Sequence, residues 1–105
     1  MNAKIYSRVH ISKGDIKVLE VTPSRITGRL DFETTDDTLL DLLRRSKAAA
    51  EEQLFLEVDR IDQQIANFQL IIKISDGREE MVRRLFLGDD CVLTVEKWPS
   101  ETGTP

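Results

Sequence analysis

The sequence predicts an α+β fold in a single domain: an N-terminal antiparallel β-meander, one central amphipathic helix and a C-terminal antiparallel β-meander. Three observations lead there. Short segments rich in β-branched residues, separated by turn residues, fill the first third; a leucine- and alanine-rich stretch fills the middle; an Asp-Gly hairpin signal centres the last third. A chain of 105 residues supports one modest core. The domain is expected over residues 1–98, followed by a polar tail, "PSETGTP" at 99–105, expected to be flexible.

The first third reads as strands over residues 3–12, 15–21 and 25–33, with "SKGD" and "TPS" as the turns between them. In "KIYSRVHI" the apolar Ile5, Val9 and Ile11 are expected to face the core and Lys4, Tyr6, Arg8 and His10 to face outward. A register slip of one residue would bury two cations without evident partners. In "RITGRLDFE" the inward set is Ile26, Leu30 and Phe32, which leaves Arg25, Thr27, Arg29 and Asp31 outside. Were these strands neighbours, Lys4, Tyr6, Arg8, His10, Arg25 and Arg29 would share one face. Tyr6 could then stack on a base and the cations could meet phosphates, a candidate nucleic-acid surface.

Charge distribution sharpens that alternative and also limits it. Residues 1–30 carry Lys4, Arg8, Lys13, Lys17, Arg25 and Arg29 against Asp15 and Glu20, whereas residues 31–64 carry ten acidic side chains against four basic ones. The molecule is therefore expected to be a dipole with a basic end. A net charge of −4 and a pI near 5.0 weigh against nucleic acid as the main partner. The outer face of an antiparallel sheet is also ordinarily polar and solvated.

"TTDDTLLDLLRRSKAAAEEQL" predicts a helix from residue 36 to about 53, capped by Thr35, with Asp36 and Asp37 at the positive end of its dipole. Leu40, Leu43, Ala50, Leu54, Val58, Ile61, Ile65 and Phe68 form a narrow stripe at three- and four-residue steps, interrupted only by Lys47. One long helix with a seam suited to pairing would produce that stripe. The alternation in "LFLEVD" and the ordinary length of helices favour a break near residue 53 and leave residues 54–66 open between helix and strand.

In the last third, "FQLIIKI" and "EEMVRRLFL" fold about Asp76-Gly77, which sets Lys73 opposite Glu80, Ile72 opposite Met81 and Phe68 opposite Leu85. A helix over 78–87, capped by Asp76 and Glu79, is the competing reading. A further strand, "CVLTVEKW", follows, with Cys91 expected as a small buried hydrophobe.

Catalytic patterns do not emerge. The five glycines never cluster into a phosphate loop, and no serine elbow is present. One cysteine and one histidine cannot make a zinc site, and the adjacent pairs Asp36-Asp37 and Asp89-Asp90 lack calcium-loop spacing. No enzyme activity, metal, cofactor or small-molecule substrate is therefore expected. The longest apolar run is too short for a membrane span, so a cytoplasmic protein is the expectation. The expected function is a small protein-binding or assembly module that self-associates as a homodimer through Leu40, Leu43, Leu54, Val58, Ile61 and Ile65. The alternative is a nucleic-acid-binding regulator that uses the basic N-terminal face.

Overall fold

Six strands and two helices are seen in a computed structural model, which describes residues 1–98; the tail expected at 99–105 lies outside the described residues. The strands are β1 (Asn2–Tyr6), β2 (Ser12–Val21), β3 (Arg25–Asp31), β4 (Ile71–Ile74), β5 (Glu79–Leu87) and β6 (Val92–Lys97). Helices α1 (Asp37–Glu51) and α2 (Phe55–Ala66) lie between β3 and β4. The α+β class holds. The expected layout of two separate meanders does not: the sheet closes into a barrel in the order β1-β2-β3-β6-β5-β4, with every neighbouring pair antiparallel.

Closure rests on two long-range seams. Ala3–Tyr6 pair with Ile74–Ile71, and Arg25–Arg29 pair with Glu96–Val92. Alternating residues of each strand then point into a narrow interior, where Ile5, Ile16, Ile26, Leu30, Ile72, Leu85, Leu93 and Val95 are buried. Space runs out at Gly28, an inward position of β3 opposite Val18, beside the irregularity in β2 between Val18 and Glu20. A Cβ there would lie 2.5 Å from Ile16 Cγ2 and 2.5 Å from the Lys17 carbonyl oxygen. Only glycine lets the two backbones approach so closely.

β1 is shorter than expected, because the chain turns at residues 7–11. The Ser7 N–H donates to the Ile11 carbonyl, the Ser7 Oγ accepts from the Ile11 N–H, and His10 takes a left-handed conformation at φ 62°. Val9 and Ile11 are consequently exposed rather than in the core, which corrects the inward assignment made for them. "SKGD" is not a turn either, since β2 begins at Ser12. Gly14 sits in the strand because a Cβ would come within 3.1 Å of Thr35 Oγ1.

Asp36, not Thr35, caps α1: its carboxylate accepts from the Leu39 N–H at 3.1 Å. Thr35 is buried and donates its hydroxyl to the Asp31 carbonyl at 2.6 Å. One helix becomes two at Gln53, which adopts φ 59°. The Leu54 N–H bonds the Ala49 carbonyl and the Gln53 N–H bonds the Ala50 carbonyl. This is a Schellman end with glutamine in the place that glycine usually occupies. α2 then folds back along α1. Leu39, Leu42 and Leu43 of α1 and Ile61 and Ile65 of α2 join the barrel residues in one hydrophobic cluster. Arg84 on the outer side of β5 ties α2 to the sheet through Asp62 at 2.9 Å.

The hairpin at Asp76-Gly77 forms, and the competing helix over 78–87 does not. Its register differs by one residue from the expected pairing: Ile71 faces Met81, Ile72 faces Glu80 and Lys73 faces Glu79. The loop holds three residues, Gly77 takes φ 98°, and the Ile74 N–H bonds the Arg78 carbonyl. Hydrogen bonding from the Arg78 backbone N–H, helped by its guanidinium, holds the Asp76 carboxyl below the ordinary range. Phe68 lies in the loop after α2, not opposite Leu85. Cys91 is exposed at φ 62° in the turn before β6, not buried in a strand.

Replacement of Gly28 by alanine is expected to cost about 1–3 kcal/mol or more, because the obstructing atom is a backbone carbonyl that cannot rotate away. Urea denaturation should show a lower midpoint. An unchanged midpoint would mean that the β2–β3 contact relaxes and that closure does not depend on this residue.

Candidate functional site

Four of the six residues expected to form a self-association seam are spent inside the molecule. Leu40, Leu43, Ile61 and Ile65 are buried in the shared core, and Val58 is half-buried beside Phe86. Among those six, Leu54 alone is exposed, at 51 %. It begins a run of three apolar residues at the elbow between the helices, followed by Phe55 at 66 % and Leu56 at 79 % exposure.

The helical period explains this division. Val58, Ile61 and Ile65 continue a stripe that faces α1 and β5, and Phe55 and Leu56 fall off that stripe at the exposed first turn of α2. Sequence reasoning named Leu54 and passed over its two neighbours. The signal was present, because two large apolar residues off the buried stripe have no intramolecular use. Acidic side chains surround the elbow: Glu51 is bound to Lys47 and Glu57 to Arg45 and Arg60, whereas Glu52 and Asp59 form no salt bridge among the described residues.

A second surface lies where β5 meets the end of β6. Trp98 is 52 % exposed and Met81 63 % exposed, and the Trp98 N–H donates to the Met81 carbonyl at 3.1 Å. The Arg83 guanidinium lies over the Trp98 ring, 5.3 Å from its centre. With Arg8, Gln69 and Ile71 these residues line a cleft of about 470 Å³ that has no acidic residue in its wall among the described residues. Arg8 and Arg83 form no salt bridge among the described residues.

Of the basic residues considered for nucleic acid, Lys4 and Arg29 line one hollow with Lys17, Asp15 and Asp31, and Arg8, His10 and Arg25 do not line it. Lys4 pairs with Asp15 at 3.8 Å, and Arg25 pairs with Glu96 at 3.9 Å on the β3–β6 seam. Arg8 and His10 belong to the turn at 7–11, and Tyr6 is half-buried with Lys73 over its ring. Arg29 stands across from Lys17, but Asp15 and Asp31 face each other at the next outward position.

A third hollow, between α1 and the turn after β5, is bridged by Lys47, which contacts both Glu51 and Asp89. The hydrogen bond to Glu51, then that to Asp89, raises its ammonium above the ordinary lysine range. Among the described residues no group of three or more His, Cys, Asp or Glu side chains converges as a metal site would require, and no helix is long and apolar enough to cross a membrane. No protein-family model, curated protein or solved structure matches the chain.

Stability should separate the elbow from the core. Ile61→Ala is expected to cost about 2–5 kcal/mol, and Phe55→Ser and Leu56→Ser to stay within about 0.5 kcal/mol of wild type. Chemical denaturation of the three variants gives the comparison. Equal losses at all three positions would mean that the elbow packs within its own molecule.

Proposed function

We propose that the protein is a non-catalytic assembly module that associates with copies of itself through the elbow between α1 and α2. The observation that carries this reading is the run Leu54-Phe55-Leu56, three consecutive large apolar side chains left in water at a defined helix start. Isolated exposed leucines are ordinary, but a contiguous apolar cluster with a polar rim is the usual composition of a protein contact. The rim is supplied by Glu52, Glu57, Asp59 and Arg60.

Barrel closure supports the same conclusion by removing a competitor. All six strands have a hydrogen-bonded neighbour on each side, so addition of a strand to a sheet edge is not an available mode of association. Contacts must be made by side chains. The elbow also meets the requirement for an anchor, because Phe55 adds aromatic area at modest entropic cost. The mixed array of Lys4, Lys17 and Arg29 with Asp15 and Asp31 gives nucleic acid no comparable surface.

Light scattering across a concentration series tests the proposal. The wild-type mass should rise above 12.0 kDa as concentration increases, and the Phe55→Ser, Leu56→Ser double variant should remain at that value throughout. A wild type that stays monomeric up to about 1 mM, a concentration at which even weak specific contacts populate, would remove the assembly reading.

A further inference from the structure

We infer that the elbow of one copy docks in the Trp98–Met81 cleft of another, so that unlike surfaces meet and elbow does not pack against elbow. The inference rests on the assembly reading above and adds the surface that receives the elbow. Two features point to it. The elbow is apolar, and residues 51–60 around it carry Glu51, Glu52, Glu57 and Asp59 against Arg60, with Glu52 and Asp59 in no salt bridge among the described residues; the cleft is apolar and basic, with Arg8 and Arg83 likewise in none. In a protein of net charge −4, a cleft walled by two arginines and, among the described residues, no carboxylate is a local reversal of sign. An elbow placed against another elbow would set acidic rims together, whereas an elbow placed in the cleft pairs each rim with its opposite.

Position within the fold makes the contact intermolecular. The elbow is at the first turn of α2, and Ala66 at the far end of the same helix and Gln69 in the loop after it border the cleft. Twelve helical residues separate the two surfaces by about 18 Å. A rigid helix cannot bring its own ends together, so an elbow reaches a cleft only in a neighbouring molecule. Phe55 and Leu56 would lie against Trp98 and Met81, and Glu52 and Asp59 would approach Arg83 and Arg8. A small contact of this kind corresponds to a dissociation constant of roughly 10–100 μM. Contacts between unlike surfaces leave one elbow and one cleft free at the ends of each assembly, so growth continues beyond the dimer unless the ring closes.

Complementation distinguishes an elbow–cleft contact from an elbow–elbow one. An elbow variant, Phe55→Ser with Leu56→Ser, keeps its cleft; a cleft variant, Arg8→Glu with Arg83→Glu, keeps its elbow. Each alone should associate at least about tenfold more weakly than wild type, and an equimolar mixture should form a complex of one copy of each that grows no further. Trp98 is the only tryptophan in the chain, so its emission reports the cleft directly. In the mixture the emission of the elbow variant should shift to shorter wavelength as its cleft fills, and thermal denaturation of each variant near the wild-type midpoint establishes that both are folded. A cleft variant that self-associates as strongly as wild type overturns the elbow–cleft contact and leaves the elbow-based assembly standing. Two folded variants that remain separate on mixing overturn it as well. A wild type that never associates overturns both readings.

Discussion

Closure of the six-stranded ring is the constraint to which the other features answer. A barrel of this size has little interior, and alternate residues of every strand must share it. The solution is uneven side-chain volume. Ala3, Gly14 and Gly28 occupy inward or crowded positions while isoleucines and leucines fill the rest. Gly28 carries the tightest contact, with the Lys17 carbonyl where a Cβ would otherwise be. The seams β1–β4 and β3–β6 then bring together residues distant in sequence, and the helices between β3 and β4 must extend the core from outside the ring.

A closed ring also determines what kind of surface remains. Backbone donors and acceptors of the sheet are used by neighbouring strands, and the inner faces are occupied by the core. Outward barrel positions carry mixed charge, with Lys4, Lys17 and Arg29 alternating with Asp15 and Asp31. Most of the large apolar side chains left exposed stand where elements end, at the 7–11 turn, at the helical elbow and at Trp98; Leu19, beside the irregularity in β2, and Met81, within β5, are the exceptions among the described residues. Element ends escape the alternation that hides apolar residues in strands and helices. They are therefore where this fold can carry contacts without cost to its core.

Local patterns were legible in the sequence, and long-range pairings were not. Helix α1, the break near residue 53, the Asp76-Gly77 hairpin and the inward set Ile5, Ile26 and Leu30 follow from periodicity and turn chemistry. The residues misassigned share a physical ambiguity. Val9 and Ile11 alternate with polar neighbours, but a turn can show the same alternation while exposing both. Gly14 stands among turn residues, yet it is there to admit Thr35. Leucines at 39, 40, 42 and 43 allow adjacent helical stripes, and the buried one includes Leu39, Leu42 and Ala49, not Ala50. Nothing in the side chain of Gln53 announces a left-handed conformation, which is imposed by the Schellman hydrogen bonds around it. Closure itself is decided between residues more than sixty positions apart in sequence, and no local pattern records it. Of the two proposed contact surfaces, Leu54 and Arg8 were singled out in the sequence, Arg8 as part of a nucleic-acid face; Trp98 and Arg83 come together through the pairing of β5 with β6.

The two seams also shape how the molecule reaches its native state. Residues 3–6 cannot pair with 71–74 until the intervening strands and both helices are close to their final positions, and the β3–β6 seam spans a comparable length of chain. Contacts of such wide sequence separation are slow to form, because the entropy of a long loop is lost before any pairing compensates it. The helical hairpin between β3 and β4 lies within the loop that each seam closes. Early in folding the sheet has open edges, and only the last pairing event conceals them.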